Sequence, residues 1–201
     1  MNRGLLIAFE GIDGTGKSTQ IRLLADYLRR QGCEVIETRE PTDGPYGRKI
    51  RQLYMNRKNC TPEEELELFI QDRRQHVDEV IGPALAQGKI VLTDRYYFST
   101  AAYQGAAGMD PDLIFAAHDF APRPDLVVLL VMEPEKSVQR IEQLRGEQLN
   151  DFEQVEQLRK VADLFASFTD DCILRVNGAA SIEQVQQEIQ KGVQPLVANG
   201  C

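Results

Sequence analysis

Residues 5–18 read LLIAFEGIDGTGKS, and this stretch decides the fold. Its last eight residues match the phosphate-loop pattern G-x-x-x-x-G-K-[ST], and they lie between an apolar run and an amphipathic segment. That context predicts a strand, a glycine turn and a helix N-terminus in this order. Glycine reaches positive φ without strain, so the backbone N–H groups of such a turn can curl around an anion. The stretch predicts a nucleoside triphosphate site; the alternative, an ordinary glycine-rich turn, needs the same residues by chance.

Two side chains at the end of this loop have the chemistry that a nucleotide needs. Lys17 would neutralise the outer phosphates, and the Ser18 hydroxyl would ligate Mg²⁺. The dipole of the helix that begins there adds a partial positive charge. The residues predicted to bind the nucleotide are Gly11, Ile12, Asp13, Gly14, Thr15, Gly16, Lys17, Ser18 and Thr19.

Length, composition and charge limit the class of protein. With 201 residues, 42% of them hydrophobic, the chain can bury one good core, so we expect a single domain over residues 1–201. No apolar run approaches the roughly 20 residues that span a bilayer, and the first strand begins too early for a signal peptide. The net charge of −8 argues against a nucleic-acid partner. The four scattered cysteines show no metal-ligand spacing and predict free thiols in a reducing, cytoplasmic environment.

Apolar, strand-like runs alternate with helical patterns along the whole chain. Strands are predicted at about residues 5–9, 33–38, 90–93, 126–131 and 172–176. A long helix capped by Thr61 runs towards Gly88, and we expect Pro83 to bend or break it. This alternation predicts an α/β fold with a five-stranded parallel sheet and helices on both faces. The polar stretch at about 142–153 is either a solvated helix or loop, or a mobile lid.

An acid and a base directly follow the third predicted strand. Ligands of parallel sheets lie at the carboxyl ends of the strands, so Asp94 and Arg95 are expected to face the nucleotide. Asp94 would either hold the Mg²⁺ shell or orient the attacking oxygen, and Arg95 would grip an acceptor phosphate with two hydrogen bonds. The alternative is a structural ion pair at a strand end. Arg39, which ends the second strand, lies on the same edge.

An arginine lies within the apolar stripe of the long helix. Arg73 follows Phe69 by four residues and precedes Val77 by four. A buried guanidinium is costly unless it is paired or faces a cavity. The arginine is therefore paired with a buried acid, extended to the surface, or placed in a cleft as a donor to a ligand carbonyl with Phe69 stacking beside it. Periodicity alone does not choose between these roles.

Five motifs follow one another along the chain: FEGIDGxGKSTQ at 9–20, TREP at 38–41, FxxDR at 69–73, DRY at 94–96 and STAAYQG at 99–105. In this order they resemble the thymidylate kinase family, whose bacterial and archaeal members transfer the γ-phosphate of ATP to dTMP. The resemblance covers nearly the whole length. It implies a single-domain phosphate-loop NTPase fold with a short lid at about 140–153, ATP and Mg²⁺ as cofactors, dTMP as the substrate and a cytoplasmic homodimer.

The same resemblance implies roles for single residues. Arg39 and Arg95 would bind the dTMP phosphate, Phe69 would stack on thymine, Arg73 would donate to its O4, and Tyr103 would exclude a ribose 2′-hydroxyl. The substrate-binding residues would be Asp13, Arg39, Phe69, Arg73, Arg95, Thr100, Tyr103 and Gln104. The catalytic residues would be Asp13, Lys17, Asp94, Arg95, Arg140 and Arg145, the last two from the lid, and the metal ligands would be Ser18 and Asp94.

Other functions stay open at this point. GTP-switch proteins share the phosphate loop, but the chain has no Asn/Thr-Lys-x-Asp segment, which favours a small-molecule kinase. A kinase for another deoxynucleoside or deoxynucleoside monophosphate is an alternative, because one methyl group is worth only ~1–3 kcal/mol of discrimination. A regulatory nucleotide-binding module without catalysis is a weaker alternative, since Lys17, Ser18 and Asp94 are all present.

Overall fold

The computed structural model describes residues 3–53, 60–145 and 154–197, and of residues 144 and 145 the backbone alone. The strands are β1 (Leu5–Glu10), β2 (Val35–Arg39), β3 (Ile90–Asp94), β4 (Leu126–Val131) and β5 (Ile173–Asn177). The helices are α1 (Lys17–Arg30), α2 (Pro45–Leu53), α3 (Pro62–His76), α4 (Gly82–Ala86), α5 (Tyr97–Ala106), α6 (Pro111–Ala116), α7 (Pro134–Arg145), α8 (Val155–Ser167) and α9 (Ile182–Val197).

The strands form one sheet in the order β2-β3-β1-β4-β5, and every neighbouring pair is parallel. This confirms the predicted five-stranded parallel sheet. The register places Phe9 of β1 and Arg39 of β2 opposite Asp94 of β3. The carboxyl ends of these strands therefore meet at one edge, where the loop after β1 lies between two neighbouring strands.

Alternation along the strands divides the core between the two faces of the sheet. Leu6 and Ala8 of β1 belong to a buried cluster with residues of α5 and α8, whereas Ile7 and Phe9 belong to a second cluster with α1 and α9. All four side chains are fully buried. A strand buried on both faces reads as a continuous apolar run, which explains why β1 carried no polar alternation.

The predicted long helix is divided into three parts. Thr61 caps α3 as predicted: its hydroxyl accepts from the Glu64 N–H at 3.2 Å, and the Glu64 carboxylate accepts from the Thr61 N–H at 2.8 Å. After α3, a π-helical turn (Val77–Ile81) leads into α4, whose second residue is Pro83. Proline has no N–H to donate, and a π-turn is one way for a helix to absorb that break.

The cysteine prediction was wrong at one position. Cys172 is a free thiol, as predicted, but Cys33 is in a disulfide bond. Disulfides require Cβ atoms about 3.5–4.5 Å apart in space, a condition that spacing along the chain does not reveal. Cys201 lies outside the described residues.

The predicted lid at about residues 140–153 begins on the last turns of α7, and residues 146–153 lie outside the described part of the chain. Among the helices of the described ranges, none combines the length and the apolar character needed to cross a membrane.

Candidate active site

The turn between β1 and α1 has the backbone geometry of an anion cradle. Gly11, Gly14 and Gly16 adopt φ values of 125°, 77° and 96°. Gly16 is the N-cap of α1 and supplies no side-chain cap, so the first N–H groups of that helix stay open to a ligand. No heavy atom lies within 4 Å of where a Gly16 Cβ would stand. Free N–H groups at a helix N-terminus, with room beside the Gly16 backbone, suit a phosphate chain.

Lys17 lies folded over the loop that it follows. Its Nζ donates to the carbonyl oxygens of Gly11 at 3.1 Å and Ile12 at 3.0 Å, and the residue is 6% exposed. Burial and the nearby Arg95 lower the pKa of this ammonium group. The loop carbonyls therefore hold a desolvated amine against the cradle, where an anion would relieve its unfavourable environment.

Ser18 and Asp94 lie side by side at the start of α1 and the end of β3. The Ser18 hydroxyl donates to Asp94 Oδ2 at 2.6 Å. Within the described residues, no group of three or more His, Cys, Asp or Glu side chains is arranged to hold a metal ion. Mg²⁺ usually takes one or two oxygens from the protein and completes its shell with phosphates and water, so this pair fits that ion.

Arg95 joins the end of β3 to the phosphate loop. Its φ of 72° is the only positive value of a non-glycine residue in the described ranges. Arg95 Nη2 donates to Asp13 Oδ1 at 2.7 Å and to the Tyr103 hydroxyl at 3.2 Å, while Nη1 donates to Ser99 Oγ at 2.9 Å. The ion pair between Arg95 and Asp13 therefore joins the end of β3 to the phosphate loop. The strained backbone at Arg95 directs its guanidinium towards that loop.

Asp13 is the common partner of two predicted site residues. The Tyr103 hydroxyl donates to Asp13 Oδ2 at 3.0 Å, opposite the bond from Arg95. Burial alone would raise the pKa of Asp13, but the charges of Arg95 and Lys17 outweigh it and keep this pKa well below its ordinary value. An ionised Asp13 thus fixes one acceptor-side arginine beside the nucleotide loop.

Arg73 is fully buried and paired with an acid, which confirms the first of the alternatives raised for it. Its Nε and Nη2 donate to Glu40 Oε2 at 2.9 Å and 2.5 Å, and Nη2 also lies 3.2 Å from Thr100 Oγ1. The remaining nitrogen, Nη1, is buried without a hydrogen-bond partner. A buried donor without a protein partner is rare, and either a water molecule or a ligand atom can satisfy it.

Some predicted residues lie apart from this cluster. The side chain of Arg39 is 64% exposed and donates from Nη2 to Asp43 Oδ1 at 3.0 Å, an oxygen that Arg51 also reaches at 3.0 Å. Arg140 Nη1 donates to the Gly178 carbonyl at 3.0 Å, beside the loop after β5. The side chain of Arg145 lies outside the described residues. Phe69 is half-buried on α3, and Gln104 is buried on α5.

Glu10 is a site residue that the sequence analysis missed. Its carboxyl is fully buried and accepts from the N–H groups of Tyr96 and Ser99 at 2.9 Å and 3.2 Å, and from Ser99 Oγ at 2.5 Å. Burial raises the pKa of Glu10 to about 7. The sequence indicates this residue in one way: Glu10 is an acid that ends an apolar strand directly before the phosphate loop. Through Ser99, this acid supports the guanidinium of Arg95.

Comparison with known proteins identifies the family. The family model described as thymidylate kinase matches residues 9–189. A thymidylate kinase of Desulfotalea psychrophila is 54% identical over 98% of this chain and 97% of its own length. Others from Xanthomonas campestris and Xylella fastidiosa are 47% and 42% identical over 82% and 90% of this chain, and 71% and 83% of their own lengths. The chain therefore belongs to the thymidylate kinase family.

Proposed function

We propose that this chain transfers the γ-phosphate of ATP to dTMP, giving dTDP and ADP. The proposal rests above all on the contact between Arg95 and Asp13, whose Nη2 and Oδ1 lie 2.7 Å apart. This contact brings an arginine suited to an acceptor phosphate against the loop suited to the donor phosphates. Phosphoryl transfer depends mainly on such positioning and on neutralising charge.

On the donor side, the N–H groups of the phosphate loop and Lys17 bind the triphosphate. Mg²⁺, held by Ser18 and Asp94, would neutralise charge on the phosphate oxygens when bound. Arg95 orients the acceptor phosphate, whose attacking oxygen is already anionic at neutral pH. The reaction therefore needs no strong general base, and Asp94 serves the metal rather than a proton.

On the acceptor side, the unpartnered Nη1 of Arg73 donates to the O4 carbonyl of thymine, and Phe69 stacks on the ring. Thr100 and Gln104 line the base, and Tyr103 lies where a ribose 2′-hydroxyl would project. Arg39 reaches the acceptor phosphate after leaving Asp43, with which it pairs on the surface. Charge-assisted hydrogen bonds to a carbonyl are worth about 1.5–3 kcal/mol each, enough to select this base.

The remaining expectations belong to the same proposal. Arg140 and Arg145 close over the transferring group from the lid at about 140–153. The chain acts as a single domain, associates as a homodimer and works in the cytoplasm. Analytical ultracentrifugation checks the dimer directly.

Arg73→Ala and Arg73→Lys test the assignment of the acceptor. The alanine variant leaves Glu40 buried with a missing partner, which costs about 3–5 kcal/mol of stability, so the lysine variant serves as the folded comparison. We expect Arg73→Lys to raise the KM for dTMP by about 10- to 100-fold with little change in the KM for ATP. Equal damage to both constants would identify a purely structural arginine.

Release of ADP from ATP and Mg²⁺, measured against dTMP, dUMP, dCMP, dGMP and thymidine, separates the candidate functions. Preference for dTMP supports the proposal. Faster turnover of another nucleotide or of thymidine would show that this compound, and not dTMP, is the preferred acceptor. No release with any acceptor would favour a regulatory module.

A further inference from the structure

We propose that His76 is a positioning residue that sets the direction of the free Arg73 nitrogen and so sharpens recognition of the acceptor's base. This inference rests on the proposed role of Arg73 as a donor to a base carbonyl. His76 ends α3, one helical turn after Arg73, and is 3% exposed. The mechanism proposed above gives this histidine no other task.

The inference begins with how Glu40 shares its two oxygens. His76 Nδ1 lies 2.9 Å from Glu40 Oε1, and both Nε and Nη2 of Arg73 donate to the other oxygen, Oε2. The three side chains are between 1% and 4% exposed. An arginine usually meets a carboxylate through two parallel bonds, one to each oxygen. Here the histidine occupies one oxygen, and the guanidinium takes an unusual one-oxygen arrangement.

The histidine is itself held from its far side. Its Nε2 lies 2.6 Å from Thr38 Oγ1, near the end of β2. Although burial opposes it, the charge of Arg73 and the contact with His76 keep the pKa of Glu40 below its ordinary value, so the carboxylate only accepts. Nδ1 must therefore carry a hydrogen. A ring bonded at both nitrogens cannot rotate away from Glu40.

This arrangement fixes where Nη1 of Arg73 points. Without the bond from His76 to Oε1, the carboxylate would be free to turn until both of its oxygens met the guanidinium, and Nη1 would move with it. Nη2, which donates to Glu40, also donates to Thr100 Oγ1 at 3.2 Å and is therefore held from two sides. Since a guanidinium only donates, a fixed Nη1 favours a base with a carbonyl at that place over one with an amino group. His76 thus contributes to selecting a 4-oxo over a 4-amino pyrimidine.

Three substitutions of His76 separate positioning from packing. Asn places its amide nitrogen near the position of Nδ1 and can still donate to Glu40, whereas the longer Gln reaches towards Thr38, and Leu can do neither. We expect the Leu and Gln variants to raise the KM for dTMP about tenfold, with kcat and the KM for ATP within about twofold. The Asn variant should stay within about threefold of the parent. The preference for dTMP over dCMP should shrink in the Leu and Gln variants and change little in the Asn variant.

A double-mutant cycle with Arg73→Lys completes the test. If His76 acts through the arginine, His76→Leu adds no further rise in the KM for dTMP in the Arg73→Lys background. If the double variant instead shows a KM for dTMP raised by the product of the two single-variant factors, the inference is wrong. Equal KM values for the Asn and Gln variants would also overturn it, a comparison that stays decisive where the Leu variant fails to fold. An unchanged KM in Arg73→Lys alone would instead reject the proposed role of Arg73.

Discussion

The two halves of the site are built in opposite ways. The donor half is eight consecutive residues, Gly11–Ser18, whose backbone conformation creates the cradle. The proposed acceptor half combines side chains from α3 and α5 with Glu40 and Arg95, which directly follow β2 and β3, and Glu40 and Arg73, 33 residues apart in the chain, are joined by hydrogen bonds. Local backbone geometry is encoded locally, whereas a network of side chains exists only after the sheet and helices have assembled.

The halves also differ in how they manage buried charge. In the donor half, the Lys17 ammonium group donates to neutral carbonyl groups, and a bound anion would neutralise its charge. In the acceptor half, Glu40 and Arg73 already neutralise each other in the interior. A buried charge whose partner is removed costs much more than an exposed one. We therefore expect substitutions in the donor half to affect turnover, and those in the acceptor half to affect substrate binding and stability together.

Lys17→Ala should give the largest effect and tests the independence of the donor half. Loss of a charge-stabilising donor costs about 10²–10³ in kcat, and we expect at least that loss here. Binding of dTMP in the absence of ATP, measured by calorimetry, should change little because the Lys17 ammonium group donates to the loop carbonyls of Gly11 and Ile12.

The exposed Lys191 on α9 supplies the matched control, since Lys191→Ala should leave kcat unaltered. Near parental turnover in Lys17→Ala would reject the assignment of the phosphate loop. A large loss of dTMP binding would instead show that the two halves are not separable.

Glu10→Gln tests the buried acid where the halves meet. Burial raises the pKa of Glu10 from its ordinary 4.5 to about 7. The folded chain therefore holds this proton more tightly than the unfolded chain, and the contribution to stability is complete below pH 4.5 and lost as the pH rises through 7. Through this group, the parent chain should lose up to about 3 kcal/mol of unfolding free energy by pH 8.

Urea unfolding at pH 5, 6, 7 and 8 measures this loss. The Gln variant mimics the protonated acid and should lack the Glu10 contribution to the pH dependence, while Glu188→Gln, on the exposed side of α9, should retain it. Parallel stability curves for the parent and Glu10→Gln would contradict the prediction.

Two glycine substitutions in the loop give the smallest expected difference and sharpen the picture of the donor half. Gly14 and Gly16 both have positive φ, so alanine strains either by about 1–2 kcal/mol. At Gly14 alone, the added methyl group would also lie 2.6 Å from the Ser137 carbonyl oxygen of α7. We expect Gly14→Ala to unfold more easily than Gly16→Ala by a further ~1–3 kcal/mol. Equal unfolding free energies would mean that α7 does not clamp the loop.

The residues at the strand ends show where prediction from the sequence succeeds. Asp94 and Arg95 were placed at the sheet edge because parallel strands bring their carboxyl ends together, and Asp94 lies beside Ser18 as that argument requires. Arg95 illustrates the limit: its ion-pair partner is Asp13, 82 residues away along the chain, rather than the adjacent Asp94. Proximity to the edge follows from topology, but the choice of partner depends on side-chain directions.

Arg73 shows the same limit more strongly. Helical periodicity identified an arginine on a core-facing stripe and left its role undecided. The structure supplies Glu40 as its partner, divides the carboxylate between Arg73 and His76, and leaves one nitrogen unpartnered. No pattern in α3 by itself points to an acid that lies 33 residues earlier in the chain.

By itself, the sequence determined the phosphate loop, the five parallel strands and the edge at which a ligand binds, because each follows from conformational preferences and apolar patterning over a few neighbouring residues. Only the tertiary structure decided which buried charges neutralise one another and which donor is left for a ligand. Those pairings depend on distances of about 3 Å between side chains from separate elements, and such distances are set by packing rather than by order along the chain.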